Sequence, residues 1–199
     1  MAQRPILILA STSPYRRALL ERLRVPFEVM APPWDEVRLN DPDTTVSANA
    51  LGKARAAAED RPGAVILASD QVAWCDGQIL EKPGTPEAAC RQLALLAGRE
   101  HELYTCVALR TPDGREREET VVAHLRMRSL SPEQIASYVQ LDAPLDCAGS
   151  YKCEGYGIVL FDSLRCEDPT AVEGLPLIST RRLLEEAGFD CLPVAGRES

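Results

Sequence analysis

Apolar residues fall in short blocks set apart by capping and turn-forming residues. Ile6–Ala10 (I-L-I-L-A) is an unbroken apolar run of strand length. Ser11-Thr12-Ser13 follows. Ser13 before Pro14 predicts a helix start, because a hydroxyl caps orphan N–H groups and proline at the first helical position loses no bond. Ala18, Leu19, Leu20 and Leu23 give that helix an apolar face. Val25–Met30 predicts a strand, and Asp41-Pro42-Asp43 a turn and cap. Across Thr44–Asp60, Val46, Ala50, Leu51, Ala54 and Ala58 recur at helical spacing, and Arg61-Pro62-Gly63 closes the helix. Ala64–Ser69 is a second continuous apolar strand, of the kind buried on both faces, and it ends in Asp70-Gln71.

From Val72 to Lys82 the pattern predicts a hairpin turning at Asp76-Gly77. Thr85-Pro86-Glu87 starts a capped helix with Ala89, Leu93 and Leu96 inward and Gly98 as its stop. Two strands, Glu102–Arg110 and Thr120–Met127, flank a turn at Pro112-Asp113-Gly114, and Ser131-Pro132-Glu133 caps a short helix. A glycine- and tyrosine-rich loop, Ala148–Gly157, precedes a predicted strand at Ile158–Phe161. Asp168-Pro169-Thr170 begins a long turn, and Gly174-Leu175-Pro176 leads into a last helix ending at Gly188. The N-terminal half reads strand–helix–strand and the centre, 83–150, reads antiparallel. The expected fold class is α/β with a mixed sheet, and with no repeat or linker, residues 1–199 read as one domain.

At 199 residues the chain is long enough for a real core. No apolar run reaches the roughly 18 residues of a membrane span, and the start M-A-Q-R-P is too brief for a signal peptide. A net charge of −8 argues against general nucleic-acid binding. Seven cysteines without a C-x-x-C pair suit free thiols in a reducing cytosol, so a cytoplasmic location is expected.

The charges change the picture. Arg16 and Arg17 sit in the first turns of a helix, against its dipole, a conflict that a bound triphosphate would resolve and that solvated arginines on a capped helix would equally allow. Asp70, abutting an apolar strand, needs a partner. With Ser11, Glu36, Lys53, Lys82, Lys152 and Glu154 these groups suit metal-assisted hydrolysis of a polyphosphate. There carboxylates hold Mg²⁺ or Mn²⁺, one of them activates water, and the cations steady the phosphoryl oxygens. Of the two histidines, His124 sits in an alternating strand and reads as structural. Nucleophile elbow, phosphate loop, dinucleotide fingerprint and H-E-x-x-H are all absent.

L-A-S-T-S-P-Y-R-R-A-L-L, W-D-E, Lys53-Ala54, A-S-D-Q-V, Glu81-Lys82-Pro83, C-A-G-S-Y-K-C-E-G-Y-G and G-L-P-L-I together resemble the Maf family of nucleoside triphosphate pyrophosphatases, from about Leu7 to Leu184. The resemblance implies a mixed twisted sheet with flanking helices in two lobes around a nucleotide cleft. It also implies metal-dependent hydrolysis between the α- and β-phosphates. By that likeness Asp70 is the expected general base, Ser11, Arg16, Lys53 and Lys82 the phosphate contacts, and Glu36 with Asp70 the metal-holding carboxylates. Tyr15, Gln71 and Glu154 occupy the positions that separate the family's branches and are similar to the branch acting on 7-methyl-GTP. A cationic methylated guanine would favour an aromatic face and a nearby carboxylate. Trp34 departs from the small aliphatic residue expected there, and Tyr15 from tryptophan. The expected partner is a small nucleoside triphosphate, with a homodimer allowed and neither nucleic acid nor membrane involved. Two other readings stand beside this one: a dTTP/UTP pyrophosphatase of the same family, and a non-catalytic nucleotide-binding regulator of septum formation.

Overall fold

The computed structural model describes residues 5–192. Its first strand is β1 (Leu7–Ala10), buried at every position and flanked in parallel by β2 (Glu28–Met30) and β3 (Val65–Cys75). β4 (Gln78–Leu80), β5 (Glu100–Arg110), β6 (Glu116–Met127) and β7 (Phe161–Arg165) extend the sheet by antiparallel pairing. The order is β2-β1-β3-β5-β6-β7, with β4 off the path beside β3. The sheet is therefore mixed: parallel where helices cross over, antiparallel where turns such as Asp76-Gly77 reverse the chain, as expected from the sequence.

Helices cover both faces and start where their caps dictate. α1 (Pro14–Glu21) is capped by Ser13 and α2 (Pro42–Asp60) by Asp41, each followed by proline at the first helical position. α3 (Pro86–Leu96) and α4 (Pro132–Asp142) repeat the device with Thr85 and Ser131, and Gln134 completes a capping box on α4. α5 (Leu177–Glu186) follows Pro176. The alternation of β3 divides the core. Val65 and Leu67 pack with Leu19 and Leu20 of α1 and Leu183 and Leu184 of α5. Ile66 and Ala68 pack with Ala54 and Ala57 of α2. Each fully buried leucine contributes roughly 1.5–3 kcal/mol.

Three expectations change. The strand expected over Val25–Met30 starts only at Glu28, since Pro26 offers no N–H to a ladder. β3 does not stop at Ser69 but runs to Cys75, so Asp70 and Gln71 lie inside it. The segment Tyr156–Leu160 is a 3₁₀ turn and β7 begins at Phe161. Gly157 there lies so close to the Lys152 backbone that a Cβ would collide with it, a crossing no extended strand makes.

His101 on β5 is buried, with Nε2 2.9 Å from Tyr151 Oη and Nδ1 unpartnered. Burial lowers its pKa from 6.5 to about 4, so the folded protein holds it neutral. The unfolded chain then binds more protons between those values, and stability falls as pH drops from 6.5 toward 4. Urea denaturation across that range should show a loss on the order of 3 kcal/mol, and His101→Gln should flatten the slope. An unchanged slope would remove His101 from the acid response.

Candidate active site

β1 ends at Ala10, and its last paired residue on β3 is Leu67 (Leu9↔Leu67). β3 continues past this end, and there a cleft of about 560 Å³ opens, the usual position for a ligand in an open α/β sheet. Side chains reach it from both faces of β3. Asp70 points to the α2 side, while Gln71 points to the side of α1 and the 3₁₀ segment Pro169–Glu173.

On the α2 side, Lys53 Nζ lies 2.7 Å from Asp70 Oδ1 and 2.6 Å from Glu36 Oε1. Lys53 forms part of the cleft wall, and Asp70, only 5% exposed, lies behind it. Partial burial pushes the Glu36 carboxyl up, but the bond from Lys53 and the charges of Lys82 and Arg16 bring it below the usual carboxylate range. Asp70 Oδ2 accepts a bond from Asn49 Nδ2 at 3.0 Å. Asn49 also clasps Val37, accepting from its N–H at 2.8 Å and donating to its carbonyl at 3.0 Å, and takes the Trp34 indole N–H at 3.3 Å. Trp34 itself lies flat on Gly52, where any Cβ would enter the ring. The tryptophan that departs from expectation thus anchors the loop carrying Glu36. Asn49 was missed in the sequence. The one available signal was its place four residues before Lys53, on the same helix face, as a residue poorly suited to a helix interior.

On the α1 side, Ser11 Oγ accepts from Ser13 N at 3.1 Å, which leaves its hydroxyl proton for an acceptor in the cleft. Arg16 Nε donates to the Gly174 carbonyl at 2.9 Å, and no other protein acceptor holds its guanidinium among the described residues. Burial pulls Arg16 below the usual arginine value while Asp70 and Glu36 oppose it; the group stays charged. Arg17 turns outward to pair with Glu21 at the surface. Lys82, exposed just beyond β4, faces the cleft near Glu36.

Tyr15, Cys147, Tyr151 and Glu154 line the same cleft. Burial, followed by the charge of Glu173, raises the Glu154 carboxyl above its ordinary value, while Lys152 opposes the rise. Burial, and then Asp146, pushes the Cys147 thiol up to about 12 and favours its protonated form. Lys152 does not line the cleft: its ammonium caps the end of α4, bonding the Asp142 carbonyl at 2.7 Å. Gln71 lines the cleft, yet its amide nitrogen is engaged by Thr105 Oγ1 at 3.0 Å and the Ala171 carbonyl at 2.8 Å. No cluster of three or more His, Cys, Asp or Glu gathers among the described residues. Glu36 and Asp70 nevertheless converge on a single cation, the ammonium of Lys53.

Fold and site together define an α/β protein whose cleft sets cations and a capped helix start beside a pair of carboxylates. The chain belongs to the Maf family: the family model, described as Maf-like protein, matches residues 6–187. It is 48% identical over 187 residues to the 7-methyl-GTP pyrophosphatase of Xanthomonas oryzae pv. oryzae, covering 93% of this chain and 98% of that one. It is 47% identical over 193 residues to the 7-methyl-GTP pyrophosphatase of Burkholderia pseudomallei, covering 93% and 89%. A solved nucleoside-triphosphatase / dITP/XTP pyrophosphatase from Mycobacterium abscessus superposes with a TM-score of 0.46 at 17% identity, covering 91% and 93%.

Asn49→Ala should leave a buried carboxylate oxygen and both Val37 backbone groups unpaired. The expected cost is about 1–3 kcal/mol in urea denaturation. A stability unchanged within error would show that Asn49 does not hold Asp70 and the Glu36 loop.

Proposed function

We propose that this protein is a nucleoside triphosphate pyrophosphatase that converts 7-methyl-GTP to 7-methyl-GMP and diphosphate. The observation that carries the reading is the buried Lys53 ammonium bridging Glu36 and Asp70 at a cleft that Tyr15 and Glu154 also line. The names of the relatives support the same substrate.

The triphosphate lies along Ser11, the start of α1, Arg16 and Lys82, where hydroxyl, N–H groups and cations meet its charge. The polyphosphate competes for Lys53 and uncovers Asp70 Oδ1. Asp70 takes a proton from water, whose oxygen attacks the α-phosphorus; the bond to the α–β bridging oxygen breaks and diphosphate leaves. The released charge is met by Arg16, Lys53 and Lys82. With the Lys53 ammonium drawn to the phosphates, Glu36 and Asp70 would be the residues to hold a Mg²⁺ or Mn²⁺ ion together with the substrate. Such an ion supplies charge neutralisation at the phosphoryl oxygens. In the same cleft, Tyr15 stacks on the methylated base and Glu154 faces its positive ring. A role in clearing modified nucleotides in the cytoplasm agrees with seven unpaired cysteines.

Diphosphate release from a nucleotide panel with Mg²⁺ or Mn²⁺ tests this. 7-Methyl-GTP should be the best substrate, and Asp70→Asn should lower turnover by on the order of 100-fold or more. Glu154→Gln should narrow the preference over GTP. Preference for dTTP and UTP would overturn the assignment of Tyr15, Gln71 and Glu154 while keeping the chemistry. Nucleotide binding without turnover would favour a regulator.

A further inference from the structure

The face of β3 opposite Asp70 carries a second arrangement. Ser69, fully buried, donates its hydroxyl to the Gly174 carbonyl at 2.9 Å, the same carbonyl that accepts Arg16 Nε at 2.9 Å. Two residues on, Gln71 Nε2 meets the Ala171 carbonyl at 2.8 Å, and Thr105 Oγ1 donates to it at 3.0 Å. Residues 168–174 therefore form a strap hung from the sheet by side chains, ending at Gly174 with φ +105°, a conformation that favours glycine. Asp168, also buried, braces the start of the strap, accepting from Thr170 N at 3.1 Å and from Ile178 N at 2.6 Å.

We propose that Ser69 is a positioning residue for Arg16, acting through the Gly174 carbonyl; this rests on the reading of Arg16 as a phosphate contact. A carbonyl oxygen has two lone pairs, and here one takes the sheet and the other the arginine. The serine fixes where that oxygen points, and the oxygen fixes the guanidinium through Nε. The two Nη groups remain for the cleft as an end-on fork, the geometry that grips phosphate oxygens in parallel. An arginine without the anchor would have its torsions to freeze on binding, and affinity for the phosphate chain would drop. The triplet Ser69-Asp70-Gln71 then divides its work: the middle residue serves the chemistry on one face, and the outer two hold the strap on the other.

A double-mutant cycle tests the link. Ser69→Ala should lower kcat/KM for 7-methyl-GTP roughly tenfold and weaken inhibition by inorganic diphosphate by a similar factor. Arg16→Ala should cost more, and the double variant should match Arg16→Ala within about twofold, because the serine acts only through the arginine. Exchange of the Arg16 Nε–H with water, followed by NMR, should quicken in Ser69→Ala. Ser69→Cys, close in volume and a weak donor, should fall between, and it carries the same comparison if the alanine variant fails to fold. Losses that multiply in the double variant would overturn the proposal. So would full activity in Ser69→Ala beside a collapsed Arg16→Ala. Full activity in Arg16→Ala would instead remove Arg16 from phosphate binding, and the proposal with it.

Discussion

The ammonium of Lys53, held between Glu36 and Asp70, is the interaction on which the cleft depends. Lys53 and Asp70 side chains are 6% and 7% exposed, so both charges have been drawn out of water, an expensive step unless every group is paired. The pairing is nearly complete. Lys53 meets two carboxylates, Asn49 takes the second oxygen of Asp70, and Trp34 lies over Gly52 to hold the Glu36 loop in reach. Surface pairs such as Arg17–Glu21 contribute little by comparison. A buried charge cluster is poor material for stability, since well-packed apolar residues would serve as well or better. In the proposed reaction its value lies in chemistry.

One strand makes this possible. β3 is parallel to β1 for its first residues and then runs on beside β5, joined by β4 only from Ala73, with Asp70 opposite Cys106. Alternation sends Asp70 to α2 and sends Ser69 and Gln71 to the strap, so the cleft is furnished from both sides of a single backbone. A register slip of one residue would exchange these roles, and the long antiparallel ladder from Ile66↔Arg110 to Trp74↔Glu102 guards against it.

Much of this was legible in the sequence because it is local. Ser13-Pro14, Thr85-Pro86 and Ser131-Pro132 announce helix starts by their own chemistry, and the apolar runs around Leu7 and Ile66 announce buried strands. Ser11, Tyr15, Arg16, Glu36, Lys53, Gln71, Lys82 and Glu154 do meet in one cleft, with Asp70 directly behind Lys53. The rest depends on residues distant in sequence. Asp70-Gln71 resembles a strand end, and only the side chains of α2, Thr105 and the strap let a polar pair stay inside β3. Lys152 carries a suitable charge, but the end of α4 claims it. Trp34 has no visible purpose until Gly52 is seen beneath it. Asn49 gives almost no local sign of its four bonds.

The most direct test is to replace the bridging cation alone. Lys53→Met keeps the stem and removes the charge, so Glu36 and Asp70 are left facing each other without the cation between them. Diphosphate release from 7-methyl-GTP should fall by about 100-fold or more, as when a preorganised charge is taken from a phosphoryl-transfer site. Unfolding in urea should come earlier by about 3–5 kcal/mol, the cost of breaking a buried pair. Turnover within twofold of the unaltered protein would contradict the central role of this ammonium.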